Sequence, residues 1–163
     1  MSIFLKFIFL TCVIAIVPVS LASPFTSGGL GLSYQELILR YGPKEPTCPF
    51  SKLYGNYPCL QSGMMLITNE VSEKNIEEIK LLWPTEMNIN QARKLVPAYF
   101  PADWKKIRTY RINFSKEIVD LYYSPSLAKR FNKNKWDGEK AGTFMAVHSP
   151  NKRFVLLAIG NNP

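Results

Sequence analysis

His148 is the only histidine in this 163-residue chain, and that single imidazole bounds the available chemistry. A multi-histidine metal site or an H-E-x-x-H protease centre requires at least two. No G-x-S-x-G, Walker or G-x-G-x-x-G run is present to supply a nucleophile elbow or a phosphate cradle. A Ser, His148 and Asp arrangement stays open, because triad members need not be neighbours in sequence. His148 stands just before Ser149 and Pro150, however, and an exposed histidine at a hairpin end is the plain expectation there.

Paired carboxylates are the second chemical option, with Glu117 and Asp120 in one expected strand and Asp137 and Glu139 in an expected loop. Glycoside hydrolysis needs two carboxyl groups about 5 to 10 Å apart across a cleft. The odd spacing of Glu117 and Asp120 sends them to opposite faces of a strand, which weakens that pair. Asp120, set among Val119, Leu121 and Tyr122, needs a partner for its charge, and Arg108 or Arg111 across the hairpin is the expected one. That reading is a structural ion pair first and a site second. No cofactor and no metal is called for by these residues.

The charge distribution is lopsided. Residues 23 to 87 carry 5 Lys or Arg against 7 Asp or Glu, whereas residues 88 to 163 carry 14 against 5. Lys105, Lys106, Arg108 and Arg111 fall on one expected strand, and Lys129 and Arg130 follow an expected short helix, with Lys133, Lys135 and Lys140 beyond them. These six leading cations form the candidate binding patch. It suits an acidic protein, a polyanionic glycan or an anionic membrane surface. Nucleic acid ranks last, since no RRM, KH or helix-turn-helix signature appears. No small-molecule ligand is expected. The plainer reading of the same residues is a solvated surface that keeps a sheet edge from aggregating.

Residues 1 to 22 read as an address. Lys6 and the amino terminus precede an apolar run, Phe7 to Val17, which Pro18 breaks. Ser20 and Ala22 are small residues at the positions a signal peptidase reads, so cleavage is expected between Ala22 and Ser23. Eleven apolar residues rise only about 16 Å as a helix, roughly half of a hydrocarbon core. Secretion to the periplasm or extracellular space is therefore expected, with an anchor retained through uncleaved residues 3–19 as the alternative. Removal of Cys12 with the leader leaves Cys48 and Cys59, with ten residues between them, as one pair. In an oxidising compartment they are expected to form a disulfide, contributing about 3 kcal/mol by loop entropy. Metal binding by two thiolates alone falls short of zinc's four ligands.

The elements that must position these groups follow from pattern. Residues 23–32 are small and Gly-rich and read as a flexible mature terminus, and residues 33–163 as one domain. Ser33 and Glu36 have capping-box spacing ahead of Leu37, Ile38 and Tyr41. Residues 42–63 carry four prolines around the cysteine pair and read as a stapled irregular loop. Met64 to Thr68 suits a strand, Glu73 to Trp83 a helix capped by Ser72, and a further helix starts at Ile89 behind Asn88 with Leu95 turned inward. From Lys105 the period alternates. Lys105 to Ile112 pairs with Lys116 to Tyr123, Pro125 opens a helix to Phe131, and Thr143 to His148 pairs with Arg153 to Ile159.

The expected fold is α+β, with N-terminal helices and a disulfide-stapled loop packed on a mainly antiparallel sheet of about four strands. Asn113, Phe114 and Ser115 form an N-x-S sequon at the first hairpin turn, usable only in a glycosylating secretory system, and chance occurrence is its plainer reading. The leading functional expectation is a small exported, non-enzymatic binding or accessory protein whose basic C-terminal half meets an acidic partner. The alternative is an exported hydrolase with His148 or a carboxylate such as Asp120 as acid or base.

Overall fold

A computed structural model describes residues 24–43, 65–67, 74–83, 85–136, 138–149 and 153–160. Residues 1–23, on which the expected leader falls, Cys48 and Cys59 with most of the proline-rich loop, and Asp137 lie outside the described residues.

The chain is α+β. Helix α1 (Tyr34–Tyr41) precedes strands β1 (Met65–Ile67) and β2 (Glu78–Leu82), and helix α2 (Ile89–Leu95) runs into a 3-10 turn (Val96–Tyr99). Strands β3 (Lys105–Arg111) and β4 (Ile118–Tyr123) follow, then the one-turn helix α3 (Pro125–Ala128), a 3-10 turn (Lys133–Trp136), and strands β5 (Thr143–His148) and β6 (Phe154–Ile159). The sheet order is β1-β2-β6-β5-β4-β3, with every pairing antiparallel. The expected count of about four strands is too low. Five strands of five to seven residues are present, and the three-residue β1 extends one edge.

The additional full strand is β2, which lies where a helix was expected. Its residues satisfy both periods, since Ile76, Ile79 and Trp83 have helical spacing while Ile79 and Leu81 alternate around Lys80. Pairing decides between them. Glu78 to Leu82 lie opposite Ala158 to Phe154 of β6, and this ladder buries Ile79 and Leu81 almost completely.

The helix starts follow their caps. Ser33 Oγ accepts from the Glu36 amide at 3.2 Å while the Ser33 amide donates to Glu36 Oε2 at 2.6 Å. Asn88 and Gln91 form the same reciprocal pair at the start of α2. Pro97 does not kink an α-helix. The chain tightens into the 3-10 turn instead, where proline's missing amide is tolerated near the start. Helix α3 stops at Ala128, short of the expected Phe131.

The segment after Pro24 departs from expectation most clearly. Rather than a flexible terminus, it contributes Leu30 and Leu32 to the core and is bonded on both sides. Gly28 and Leu30 amides donate to Phe100 and Tyr99 carbonyls, and Leu32 accepts from the Ile76 amide at 2.7 Å. Gly28 is required for this approach, because a Cβ there would lie 1.7 Å from the Ala98 carbonyl oxygen.

The helix-bearing face of the sheet holds the main core. Ile79, Leu81, Tyr122, Phe144, Ala146, Val155 and Leu157 meet Leu37, Ala92, Val96, Phe100, Leu127 and Trp136 there. Phe100 packs on Tyr122 and Phe144 with ring centroids 4.7 and 5.0 Å apart. The opposite face carries Val119, Leu121, Met145, Val147 and Ala158. The expected alternation in β4 therefore holds, and it sends Asp120 to the helix-bearing side.

Candidate functional site

Asp120 is fully buried, so its charge needs partners, and the structure surrounds it from three elements. Arg93 of α2 donates Nε to Oδ2 at 2.6 Å and Nη2 to Oδ1 at 2.9 Å. Thr109 Oγ1 donates to Oδ1 at 2.5 Å, and Lys106 Nζ lies 2.7 Å from the same oxygen. His148 Nε2 at the end of β5 is 3.2 Å from Oδ2. Lys106 and Thr109 have odd spacing and would ordinarily face opposite ways. A bulge in β3 at Ile107 shifts the register, so that Lys106 faces Tyr122 and Thr109 faces Asp120 on one side of the sheet.

Burial alone would raise the Asp120 pKa. The contacts from His148, Arg93, Lys106 and Thr109 outweigh it and hold the carboxyl far below the usual range. The same pairing lifts the Arg93 guanidinium above its ordinary value. Two sequence expectations are corrected here. The partner of Asp120 is Arg93 rather than Arg108 or Arg111, and His148 is buried rather than exposed, with 1% of its surface accessible. Arg93 reaches the sheet because Ile89, Arg93 and Val96 share a helix face, while Leu95, expected to point inward, is 46% exposed.

Beside His148 there is no room for a substrate, and of the cluster's residues Arg93 alone lines a second concavity, of about 360 Å³, with Asn88, Ile89, Asn90 and Ile118. The cavity beside His148, lined by Trp83, Met87, Ile89, Ser149 and Val155 among others, measures about 10 Å³. That is one water's worth of space, against the roughly 300–1,000 Å³ of ligand pockets. Asp120 accepts on both oxygens from donors already in place. The arrangement ties α2 to β3, β4 and β5. Glu117, the other half of the expected carboxylate pair, sits at the hairpin turn and accepts from Ser115 Oγ at 3.0 Å. Glu139 is exposed on the loop before β5.

A larger concavity lies elsewhere. A cleft of about 590 Å³ is lined by Lys74, Lys129, Arg130 and Lys135, by Glu36 and Glu77, and by Ser33, Asn75, Phe131 and Asn132. Its walls are fixed from α3. Ser124 Oγ caps the Leu127 amide, and Asp103 accepts from Ser124 Oγ, Ser126 Oγ and the Ser126 amide at 2.5, 2.7 and 2.8 Å. Burial opposes the charge of Asp103, but these donors prevail and lower its pKa. The helix so anchored delivers Lys129 and Arg130 to the cleft.

Arg130 is the hinge-pin of this region. Its Nε donates to the Gly31 carbonyl at 2.8 Å, its Nη2 donates to Glu36 Oε2 at 2.8 Å and Asn75 Oδ1 at 3.0 Å, and its guanidinium lies 4.8 Å from the Phe25 ring centroid. Lys135 pairs with Glu77 at 2.8 Å. The two carboxylates of the cleft are thus engaged by two of its cations, and exposed Lys74 and Lys129 supply the positive charge still directed to solvent.

The expected basic patch therefore divides. Lys129 and Arg130 line the cleft, with Lys129 solvent-facing and Arg130 structural. Lys105, Lys106, Arg108 and Arg111 stand on edge strand β3 and contribute nothing to the cleft lining. Lys106 turns to Asp120, and Arg108 lies over the Tyr110 ring. Sequence reading grouped Lys135 with Lys129 and Arg130 by charge but missed Lys74, Glu36 and Glu77 as cleft residues, because 38 or more positions separate Glu36 from the other two and more than 45 separate all three from α3.

Among the described residues no cluster of three or more His, Cys, Asp or Glu is placed to hold a metal ion, and no helix is long and apolar enough to cross a membrane. The chain matches no family model, no curated protein and no solved structure in the three comparisons made.

Proposed function

We propose that this chain is a small exported binding protein that holds a polyanionic glycan in the cleft between α1 and the end of α3. The observation that carries the reading is the cleft lining, in which four cations face two carboxylates and both carboxylates are already paired. Unbalanced positive charge in a concave, partly shielded space favours an anionic ligand more than the same charge on a flat surface. Phe131, Ser33 and Asn132 add an apolar ring and neutral hydrogen-bonding groups beside the cations, which suits sugar rings and hydroxyls.

The hydrolase alternative draws no support from its named residues. His148 and Asp120 are buried together, His148 lines a space too small for substrate, and Asp120 lines none of the described cavities. The β3 cations are better used in guarding an exposed sheet edge, with Lys106 additionally neutralising Asp120.

The test is a calorimetric titration of the full chain with a sulfated oligosaccharide, repeated at low and high salt. Binding that falls steeply with salt is expected, and a K74E/K129E double substitution should weaken it at least tenfold. Binding of an acidic peptide in place of the oligosaccharide would redirect the reading to a protein partner. Equal binding by the double variant would overturn the cleft assignment.

A further inference from the structure

We infer that Asn113 is an N-glycosylation site. Asn113, Phe114 and Ser115 form the one N-x-S sequon in the chain, and all three are exposed at the turn between β3 and β4. Ser115 Oγ donates to Glu117 Oε2 at 3.0 Å within the turn, but the turn is closed by backbone bonds that do not use Asn113. The Ile112 amide donates to the Glu117 carbonyl at 2.9 Å, the Lys116 amide returns to the Ile112 carbonyl at 3.0 Å, and Lys116 takes the left-handed conformation that completes the reversal. The Asn113 side chain has no partner among the described residues, so a glycan there displaces no contact. Phe114 is 97% exposed, the most exposed large apolar side chain described, and a sugar attached one residue away gives that ring a covering surface.

The modification is a group transfer from a polyisoprenyl-pyrophosphate-linked oligosaccharide. The Asn113 amide nitrogen forms a bond to the anomeric carbon of the first sugar as the bond from that carbon to the pyrophosphate oxygen breaks. The pyrophosphate leaves with the electron pair, and the amide proton passes to the transferase. The Ser115 hydroxyl, two residues on, is the group that the acceptor sequence requires.

This inference rests on the export reading, and the experiment separates the two. The full chain with its own leader is expressed in a glycosylating secretory system, and a second form carries a proven cleavable leader in place of residues 1–22. The expected result is a protease-protected product bearing one glycosidase-sensitive glycan, retained in S115T and lost in both N113Q and S115A. Deglycosylation should increase binding of an apolar dye, and F114S should abolish that increase. A protected but unmodified product would overturn the glycan. A glycan only on the form with the substituted leader would uphold Asn113 and overturn export, and failure of both forms to acquire it would overturn the inference.

Discussion

Arg93 and Asp120 lie 27 residues apart and close on each other through two parallel hydrogen bonds, Nε to Oδ2 at 2.6 Å and Nη2 to Oδ1 at 2.9 Å. This two-point contact joins helix α2 to the middle of the sheet. Asp120 is fully buried whereas Arg93 retains 31% of its surface, so the two halves of the pair are not equivalent. Removing the carboxylate leaves cations that can still reach water. Removing the guanidinium leaves a buried charge held by Lys106, Thr109 and His148.

Both losses destabilise, through different routes. Asp120→Ala should lower unfolding free energy by about 3 kcal/mol, and Arg93→Ala by about 2 kcal/mol because Lys106 and Thr109 remain. Urea unfolding of the single and double variants checks this. The double substitution should fall well short of the summed single effects, and strict additivity would show that the pair is not coupled.

Acid should weaken the fold through the same carboxylate. A carboxyl whose folded pKa is depressed contributes stability above its unfolded value, about 4, and loses that contribution as pH falls towards the folded value. Glu36, held low first by the Ser33 amide, and Asp103, held low by Ser124 and Ser126 against burial, act in the same direction. Urea midpoints measured from about pH 5 down to about pH 2 should drop steadily. Asp120→Asn should flatten that drop, and a variant that follows the parent curve would contradict the assignment.

Gly28→Ala tests the seating of the N-terminal segment. The added methyl would overlap the Ala98 carbonyl oxygen, so the segment must lift from the 3-10 turn or the turn must shift. A loss of about 3 kcal/mol is expected, together with faster amide exchange at Leu30 and Leu32. Unchanged exchange at those two amides would mean that the segment is held by something other than this approach.

Much of the local structure was legible because the groups that specify it are adjacent in the chain. Ser33 with Glu36, Asn88 with Gln91, and Ser124 ahead of Pro125 each announce a helix start, and each is found there. The alternation of Val119 and Leu121 likewise places Asp120 on its face. What pattern could not supply was long-range competition. Glu78 to Leu82 fit two periods, and pairing with β1 on one side and β6, more than 70 positions on, on the other selects the strand. The candidate site was hidden for the same reason. Lys129 and Arg130 stood out by charge, but Lys74 and Glu36 join them only through the fold, and the role of Arg130 depends on Gly31 and Asn75. His148 looked like a turn residue because it ends its strand, yet the strand end is covered.

Arg130 and Lys129 should respond oppositely to substitution although they are neighbours. Arg130→Ala removes three hydrogen bonds that hold the N-terminal segment, α1 and Asn75 together, and should lower stability by about 2 kcal/mol. Lys129→Ala should leave the thermal midpoint within the error of the parent while weakening polyanion binding. Equal destabilisation by both would mean that Lys129 also carries structure.

Backbone amide shifts recorded while a sulfated oligosaccharide is added to the isotopically labelled chain provide the most direct measurement. Saturable changes should centre on Ser33, Lys74, Lys129 and Asn132 and be absent from K74E/K129E. Changes confined to Lys105 through Arg111 on β3, or no change at any amide, would contradict binding in the cleft.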